Sequence, residues 1–374
     1  MNENFRINCR FSAWSRCLYL METMAKIHKE PHFDITVDEN HVNEGAAEII
    51  KILRPTWPID EYRFKLFTNG ISNKLVGVWY DGHYDEMVMV RVYGQKTNLF
   101  IDRKAETRNI RLLHEVGFTH CLYATFNNGI AYQFLPGDIL TVDTVRIRSV
   151  YGLVAKRMAQ MHKFNPIHPK ISRDPFIWDK TKKFLDMIPK SFCDAEKQAK
   201  FQNIIQSRSE LEKEYILLKK ELPKLNSAVV FAHNDLLLGN LLHNKNEQTI
   251  TFIDYEYTAY NYQAYDIANH FAEFVGLDNV DYSLYPEESL QRDWLKIYLQ
   301  EYNCSLNVSE DDITDLYMKV NQFVLLAHFF WGCWSLVQSE KSTIDFDFLE
   351  YAAIRLNEYF KHKYQTFASD LDGN

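Results

Sequence analysis

The sequence predicts an α+β protein of two lobes: a small β-rich lobe over residues 41–136 and a larger, mostly helical lobe over 137–374. Three observations predict it. Strand runs and tight-turn signals concentrate between Arg63 and Phe134, Pro136-Gly137 breaks the pattern, and helical periods interrupted by one hairpin dominate the remainder of the chain. At 374 residues the chain can build two cores, and 46% hydrophobic with 25% charged residues is a globular composition. A formal net charge of -8 and a pI near 5.9 argue against a nucleic-acid surface, which would need a basic patch.

Taken in order, residues 1–40 are expected to be a poorly ordered extension. From His41 to Leu53, apolar Val42, Ala46, Ile49, Ile50 and Leu53 recur with a helical period that stops before Pro55. Strand runs follow at Arg63–Thr68, Lys74–Tyr80 and Met87–Tyr93, divided by the turn signals Asn69-Gly70 and Asp81-Gly82. A polar helix is expected from Asp102 to Glu115. Two more strands, Cys121–Phe126 and Ile130–Phe134, flank Asn127-Asn128-Gly129. In the second lobe Val150–His162 reads as an amphipathic helix, and Phe201–Leu222 as one long charged helix with a solvated outer face. The apolar run Phe323–Val337 is shorter than the roughly 20 residues a bilayer requires. It predicts a buried helix and no stable membrane insertion.

The hairpin carries the chemistry. The segment HNDLLLGNLLHNKNEQTITFID, His233 to Asp254, places Asp235, Asn240 and Asp254 at the ends of short apolar runs. Ala228–Phe231 delivers His233 to Asp235. Leu241-Leu242 then runs out to the turn residues Asn244–Glu247, and Thr249–Ile253 returns, which brings Asp254 beside Asn240. Phosphoryl transfer needs a carboxylate to orient and deprotonate the attacking hydroxyl, and oxygen ligands to hold Mg²⁺ on the nucleotide phosphates. Asp235 suits the first role, Asn240 and Asp254 the second. The D-x-x-x-x-N spacing with a later Asp is similar to the catalytic loop and metal site of protein kinases.

On the nucleotide side, the turn Phe67–Lys74, with Ser72 and Asn73, stands where a kinase lays backbone N–H groups over phosphates, although Gly70 is its only glycine. Arg91, among apolar neighbours on the third strand, stands where a kinase carries its phosphate-pairing lysine, and Glu106 is the natural carboxylate to fix it. Adenine would then meet the backbone near Gln133 and Leu135. On the acceptor side, Trp331 and Trp334 share a helix face. With Tyr257 and Tyr351 they could box a small cation, each contact contributing about 0.5–2 kcal/mol. A plain aromatic core would use the same residues, and Glu273 is the carboxylate that would favour the cation.

The stretch IDYEYTAYNYQAYDIANHFAEF resembles the signature of the choline/ethanolamine kinase family, and HNDLLLGN resembles its phosphotransferase motif. The resemblance runs from about Ala46 to Phe360. FNNGIAYQF, VDYSLYP, HFFWGCWSLVQ and STIDFDFLEYA look like its ethanolamine branch. It implies a bilobal protein-kinase-like fold, ATP and Mg²⁺ as cofactors, and phosphorylation of ethanolamine, the first step toward phosphatidylethanolamine. Carried over, it makes Asp235 catalytic, Asn240 and Asp254 metal ligands, and Arg91 with the Ser72 region phosphate contacts. Tyr257, Glu273, Trp331, Trp334, Phe346 and Tyr351 line the amino-alcohol pocket. Asp278 stands where choline kinases carry another cage tyrosine, which favours a primary ammonium with three N–H donors.

Choline kinase or dual specificity, and an inactive nucleotide-binding scaffold, remain as alternatives. A protein kinase is disfavoured by the missing glycine loop and A-P-E segment. The six scattered cysteines, Cys9, Cys17, Cys121, Cys193, Cys304 and Cys333, form no C-x-x-C, which predicts reduced thiols and a cytosolic setting. A homodimer is one assembly the family allows.

Overall fold

The computed structural model describes residues 29–67, 73–94, 101–192, 194–204, 207–277, 279–342 and 346–371, with the backbone alone for 364–371. Its first layer is a six-stranded sheet: β1 (His32–Phe33), β2 (Tyr62–Phe67), β3 (Asn73–Tyr80), β4 (Val88–Tyr93), β5 (Leu122–Phe126) and β6 (Gly129–Gln133), in the order β1-β5-β6-β4-β3-β2. Helix α1 (Val42–Leu53) lays Val42, Ala46, Ile49 and Ile50 on Val76, Val78, Val88, Val90 and Val92, so one helical stripe meets β-branched strand faces. Helix α2 (Arg103–Glu115) starts where the Asp102 carboxylate accepts from the N–H groups of Lys104 and Ala105. That start places Arg103 and Glu106 together on its first turn.

The structure corrects the N-terminal expectation. Residues 29–40 belong to the sheet lobe: β1 pairs in parallel with β5, Val37 is buried, and the Asn128 side chain bonds both backbone groups of Val37. The alternation Phe33, Ile35, Val37 was the available signal; residues 1–28 lie outside the described residues.

After the link at Pro136, β7 (Asp138–Ile139) pairs with β9 (Leu241–Asn244), which pairs with β10 (Thr249–Phe252). A separate pair joins β8 (Val229–Ala232) to β11 (Ala259–Tyr262). Helices α3 (Arg148–Lys163), α4 (Phe176–Met187), α5 (Ala195–Ile204), α6 (Arg208–Glu221), α7 (Gln263–Ala272), α8 (Glu288–Tyr302), α9 (Glu310–Lys341) and α10 (Phe348–Leu371) enclose them. The single charged helix expected over 201–222 is divided. One helix ends at Ile204 and the next begins after Ser207, whose extended backbone starts α6 afresh.

Helix α9 is the core of this lobe. Among the described residues it alone is long and apolar enough to cross a membrane, and 89% of its apolar window is buried inside the protein. A Ser309–Asp312 capping box starts it. Gly332 lets α10 approach: a Cβ there would lie 2.8 Å from Leu356 Cδ2. Trp331 and Trp334 therefore sit on a helix anchored along its length.

Candidate active site

The hairpin delivers its polar residues as the spacing required. Leu241 pairs with Phe252, so Asn240 and Asp254 flank the open end, and the Ile253 N–H donates to the Asn240 carbonyl at 3.0 Å. Asn234 (φ 70°) and Asp254 (φ 62°) both occupy the left-handed region, where non-glycine residues store strain. The Asn234 strain is held by its own side chain, which donates to the carbonyls of Ala232, Tyr257 and Ala259.

Asp266 on α7 anchors the loop from below. It accepts from the backbone N–H groups of His233 at 3.1 Å and Asn234 at 2.6 Å, and pairs with His162 Nε2 at 2.9 Å. His162 is fixed in turn by Tyr298, 2.7 Å from its Nδ1. Burial would raise the Asp266 carboxyl, but the His162 contact and the loop N–H groups hold it below the usual range. Sequence reading missed this residue, although Asp266, Asn269, His270 and Glu273 fall on one helical face.

A continuous cavity of about 580 Å³ runs between the sheet lobe and the helical lobe. Its outer part is walled by Leu75, Met89, Ile130, Leu242 and Ile253, with Gln133, Phe134 and Leu135 along the link. Leu135 makes no hydrogen bond to the other described residues. The Gln133 amide oxygen is taken by the Cys121 N–H at 3.3 Å, its main-chain N–H donates to the Cys121 carbonyl at 2.9 Å, and the Phe134 N–H donates to the Met87 carbonyl at 3.3 Å, so the backbone left for a ligand along the link is that of Leu135. These apolar faces, with the backbone of Leu135, are what a flat heterocycle needs.

Charge is concentrated in the middle. Arg91 Nη1 donates to Asp254 at 2.8 Å, and its other amino group pairs with Glu106, which is fully buried. Arg103 donates to Glu106 at 3.0 Å, to Glu256 at 2.9 Å and to the Asn73 side-chain oxygen at 3.2 Å. Carboxylate oxygens of Glu106, Asp254 and Glu256 lie within 4.8 Å of one another. Glu106 does not line the cavity; it stands behind the two arginines. Asn240 donates to the Asp235 carbonyl at 2.8 Å and leans on Asp235 Oδ2 at 3.4 Å, which leaves its side-chain oxygen as a ligand atom. Hard oxygen donors in this number suit Mg²⁺, with Asp254, Asn240 and Glu256 reaching the cavity. Arg103 and Glu256 were not foreseen, though Arg103 precedes Glu106 by one helical turn and Glu256 follows Asp254 by two residues.

Electrostatics separate the two aspartates. Burial would raise Asp254, but Arg91 and then Arg103 outweigh it and hold its carboxyl low. Asp235 has no such neighbour. Burial first, and then Asp254, Glu256, Glu273 and Asp266, push its carboxyl well above the ordinary range.

The inner end is aromatic. Tyr257 meets Trp331 edge to face at 5.3 Å, and Trp331 meets Trp334 at 5.5 Å. Trp331 Nε1 donates to Asn269 at 2.7 Å, tying the indole to the face that holds the catalytic loop. Glu273, Trp331, Trp334 and Tyr351 all line the cavity. Phe346 does not; it packs edge to face on Tyr351 at 5.7 Å and Phe348 at 4.9 Å, so it supports the wall from behind. Ser72 and Asp278 lie outside the described residues.

A strand-to-loop aspartate, an asparagine and a second aspartate across one hairpin, and an arginine–glutamate pair under a six-stranded sheet define a phosphotransferase of the kinase-like fold. The chain belongs to the choline/ethanolamine kinase family, whose sequence model matches residues 64–360. It is 40% identical over 411 residues to the ethanolamine kinase of Drosophila melanogaster, covering 89% of this chain and 79% of that protein. It is 42% identical over 340 residues to ethanolamine kinase 1 of Homo sapiens, covering 89% and 75%. The fold superposes on an ethanolamine kinase from Plasmodium vivax with a TM-score of 0.77 at 24% identity, covering 94% of this chain and 95% of that one.

Proposed function

We propose that this chain phosphorylates ethanolamine, taking the γ-phosphoryl group of ATP with Mg²⁺ and releasing phosphoethanolamine. The observation that carries the reading is that one cavity joins Asp235 to Glu273 and the two tryptophans. An amino alcohol is short, with a hydroxyl at one end and a cation at the other, and this cavity has a base at one point and a counter-charge at another. The named relatives, all ethanolamine kinases, support the same substrate.

Asp235 accepts the proton of the substrate hydroxyl as its oxygen bonds to the γ-phosphorus and the bond to ADP breaks. Its high proton affinity, set first by burial and then by four nearby carboxylates, suits a base that must take a proton late. Asp254, Asn240 and Glu256 would hold Mg²⁺, which supplies charge neutralisation on the phosphate oxygens when bound. Arg91, which lines the cavity, is placed to exchange a carboxylate for phosphate oxygens, a role suited to its forked geometry, while Arg103 holds Glu106 and Glu256 beside it. Glu273 receives the ammonium while Trp331, Trp334 and Tyr257 exclude water around it. The described cysteines, Cys121, Cys304 and Cys333, are free thiols, which supports a cytosolic setting.

The test is Mg²⁺-dependent ATP turnover with ethanolamine and choline in competition. Ethanolamine-stimulated turnover that choline inhibits only weakly is the expected result. Turnover indifferent to either amino alcohol would overturn the reading.

A further inference from the structure

The cavity does not stop at the strand that would meet a base. Residues of β6 alternate, so Ile130 and Tyr132 face the cavity while Ala131 packs into the core under α1. Tyr132 pairs with Met89 on one side and Leu122 on the other, and His120 stands two residues before Leu122, on the same face. Met89 and His120 therefore flank Tyr132 from opposite sides. On the His120 side, toward α2, the cavity is lined by Ile101, Ile110 and Tyr255, a largely apolar recess that the phosphate and acceptor ends leave unused.

The Tyr132 hydroxyl has no partner among the described residues, and its ring is held by the His120 imidazole, stacked on it at 4.2 Å and 28°. His120 is 4% exposed. Its Nδ1 is tied to the Thr119 hydroxyl at 3.0 Å, and its Nε2 is buried without a partner among the described residues. Burial first, and then Arg91, push its pKa down to about 3, so the imidazole is an uncharged plate. A leucine would fill the same space without an orphaned nitrogen. What the imidazole adds is a flat face pinned along one edge, which sets the plane and depth of the phenol in front of it.

We propose that the Tyr132–His120 stack is the back wall of the nucleotide site and determines which purines this enzyme accepts, by closing the recess at Ile101 and Ile110 to groups carried on the 6-amino nitrogen. With the base edge on the Leu135 backbone, three residues further along the chain, the exocyclic amine of adenine meets the phenol ring. A substituent on that amine needs the space the stack covers.

This rests on ATP as the phosphoryl donor. Affinity is read by calorimetry without an amino alcohol, which keeps failure of the wall distinct from failure of the ethanolamine reading. ATP, N6-methyl-ATP and N6-benzyl-ATP, each with Mg²⁺, are titrated into the wild-type enzyme. Kd is expected to rise stepwise, by about 100-fold or more at benzyl, the discrimination a packed apolar wall can give. In Tyr132→Ala the ratio of the N6-benzyl-ATP Kd to the ATP Kd falls by about 100-fold, since the recess opens. In His120→Ala it falls by about tenfold, because the phenol loses its backing, and His120→Phe, which keeps a flat ring, restores it.

A purely structural role would weaken both nucleotides together and leave the ratio within about twofold. That result, or a wild-type enzyme that binds all three nucleotides alike, overturns the proposal. Should the variants fail to fold, the wild-type series decides alone. Absence of ATP binding overturns the donor and the wall together, whereas intact discrimination without ethanolamine-dependent turnover would sink only the substrate reading.

Discussion

The two ends of the cavity neutralise their carboxylates differently. At the phosphate end, Glu106, Asp254 and Glu256 share two guanidiniums, those of Arg91 and Arg103, so the cluster is left one negative charge in excess. At the acceptor end one carboxylate, Glu273, meets one guanidinium, Arg355, buried in the helical core. The first arrangement invites a further cation and can release its arginines to phosphate. The second has no charge in excess, and there Glu273 meets the cavity among the aromatic walls of Trp331, Trp334 and Tyr351. Asp235 lies between them: burial raises its proton affinity with no guanidinium to offset it, whereas Arg91 and Arg103 outweigh burial at Asp254.

Removing the residue between the two ends has the largest expected effect. Asp235→Ala lowers kcat by about 10²–10⁴-fold, the usual contribution of a positioned acid–base group. KM for ethanolamine changes little, because the ammonium end is intact. The isosteric Asp235→Asn is equally slow but melts higher than wild type at neutral pH. Asp235 has a folded pKa above its unfolded one, so its ionisation costs stability once the pH exceeds the unfolded value. A variant with near-normal kcat, or a lowered melting temperature in Asp235→Asn, would break this account of the centre.

The phosphate end is probed by Glu106→Gln, which keeps the shape and removes the charge that both arginines share. Activity falls about 10–100-fold, as for other residues that orient ligands from behind. The loss is carried by KM for ATP rather than KM for the amino alcohol. At the acceptor end Trp331→Phe raises KM for ethanolamine by about tenfold or less, since one cation–π partner is weakened and the Asn269 bond is lost. KM for ATP should not move. If either substitution shifted both KM values equally, the two ends would not be separable.

A smaller effect comes from pH. Ionised Asp235 is the active base, so kcat/KM for the amino alcohol is full above its raised pKa and is lost as pH falls through it. The midpoint lies above the ordinary carboxylate range in the free enzyme. The smallest effect is expected at Phe346, which supports Tyr351 without touching the cavity: Phe346→Ala alters KM for ethanolamine by less than about twofold, measured in the same assay.

The sheet lobe and the hairpin were legible because their signals are local. Asn69-Gly70 and Asp81-Gly82 punctuate strands of β-branched residues, and the turn at Asn244–Gln248 fixes the register that sets Asn240 beside Asp254. The long-range partners were not legible. Arg355 reaches Glu273 across 82 positions, and His162 reaches Asp266 across 104. Nothing in the neighbourhood of Arg355 distinguishes it from a surface arginine on a charged helix. The first strand was passed over because two residues of pairing, His32–Phe33, give too short an alternation to stand out from a loop. The divided charged helix failed for a related reason: the Ser207 start is a single residue inside a periodic run.

The central claim is that one short amino alcohol spans from Asp235 to Glu273. A crystal structure with a non-hydrolysable ATP analogue, Mg²⁺ and ethanolamine tests it most directly. The hydroxyl is expected within hydrogen-bond distance of Asp235 and the ammonium on Glu273 Oε2, against Trp331 and Trp334, with Arg355 still on Oε1. An ammonium bound at Asp254 or Glu256 instead, with Glu273 out of reach, would contradict it.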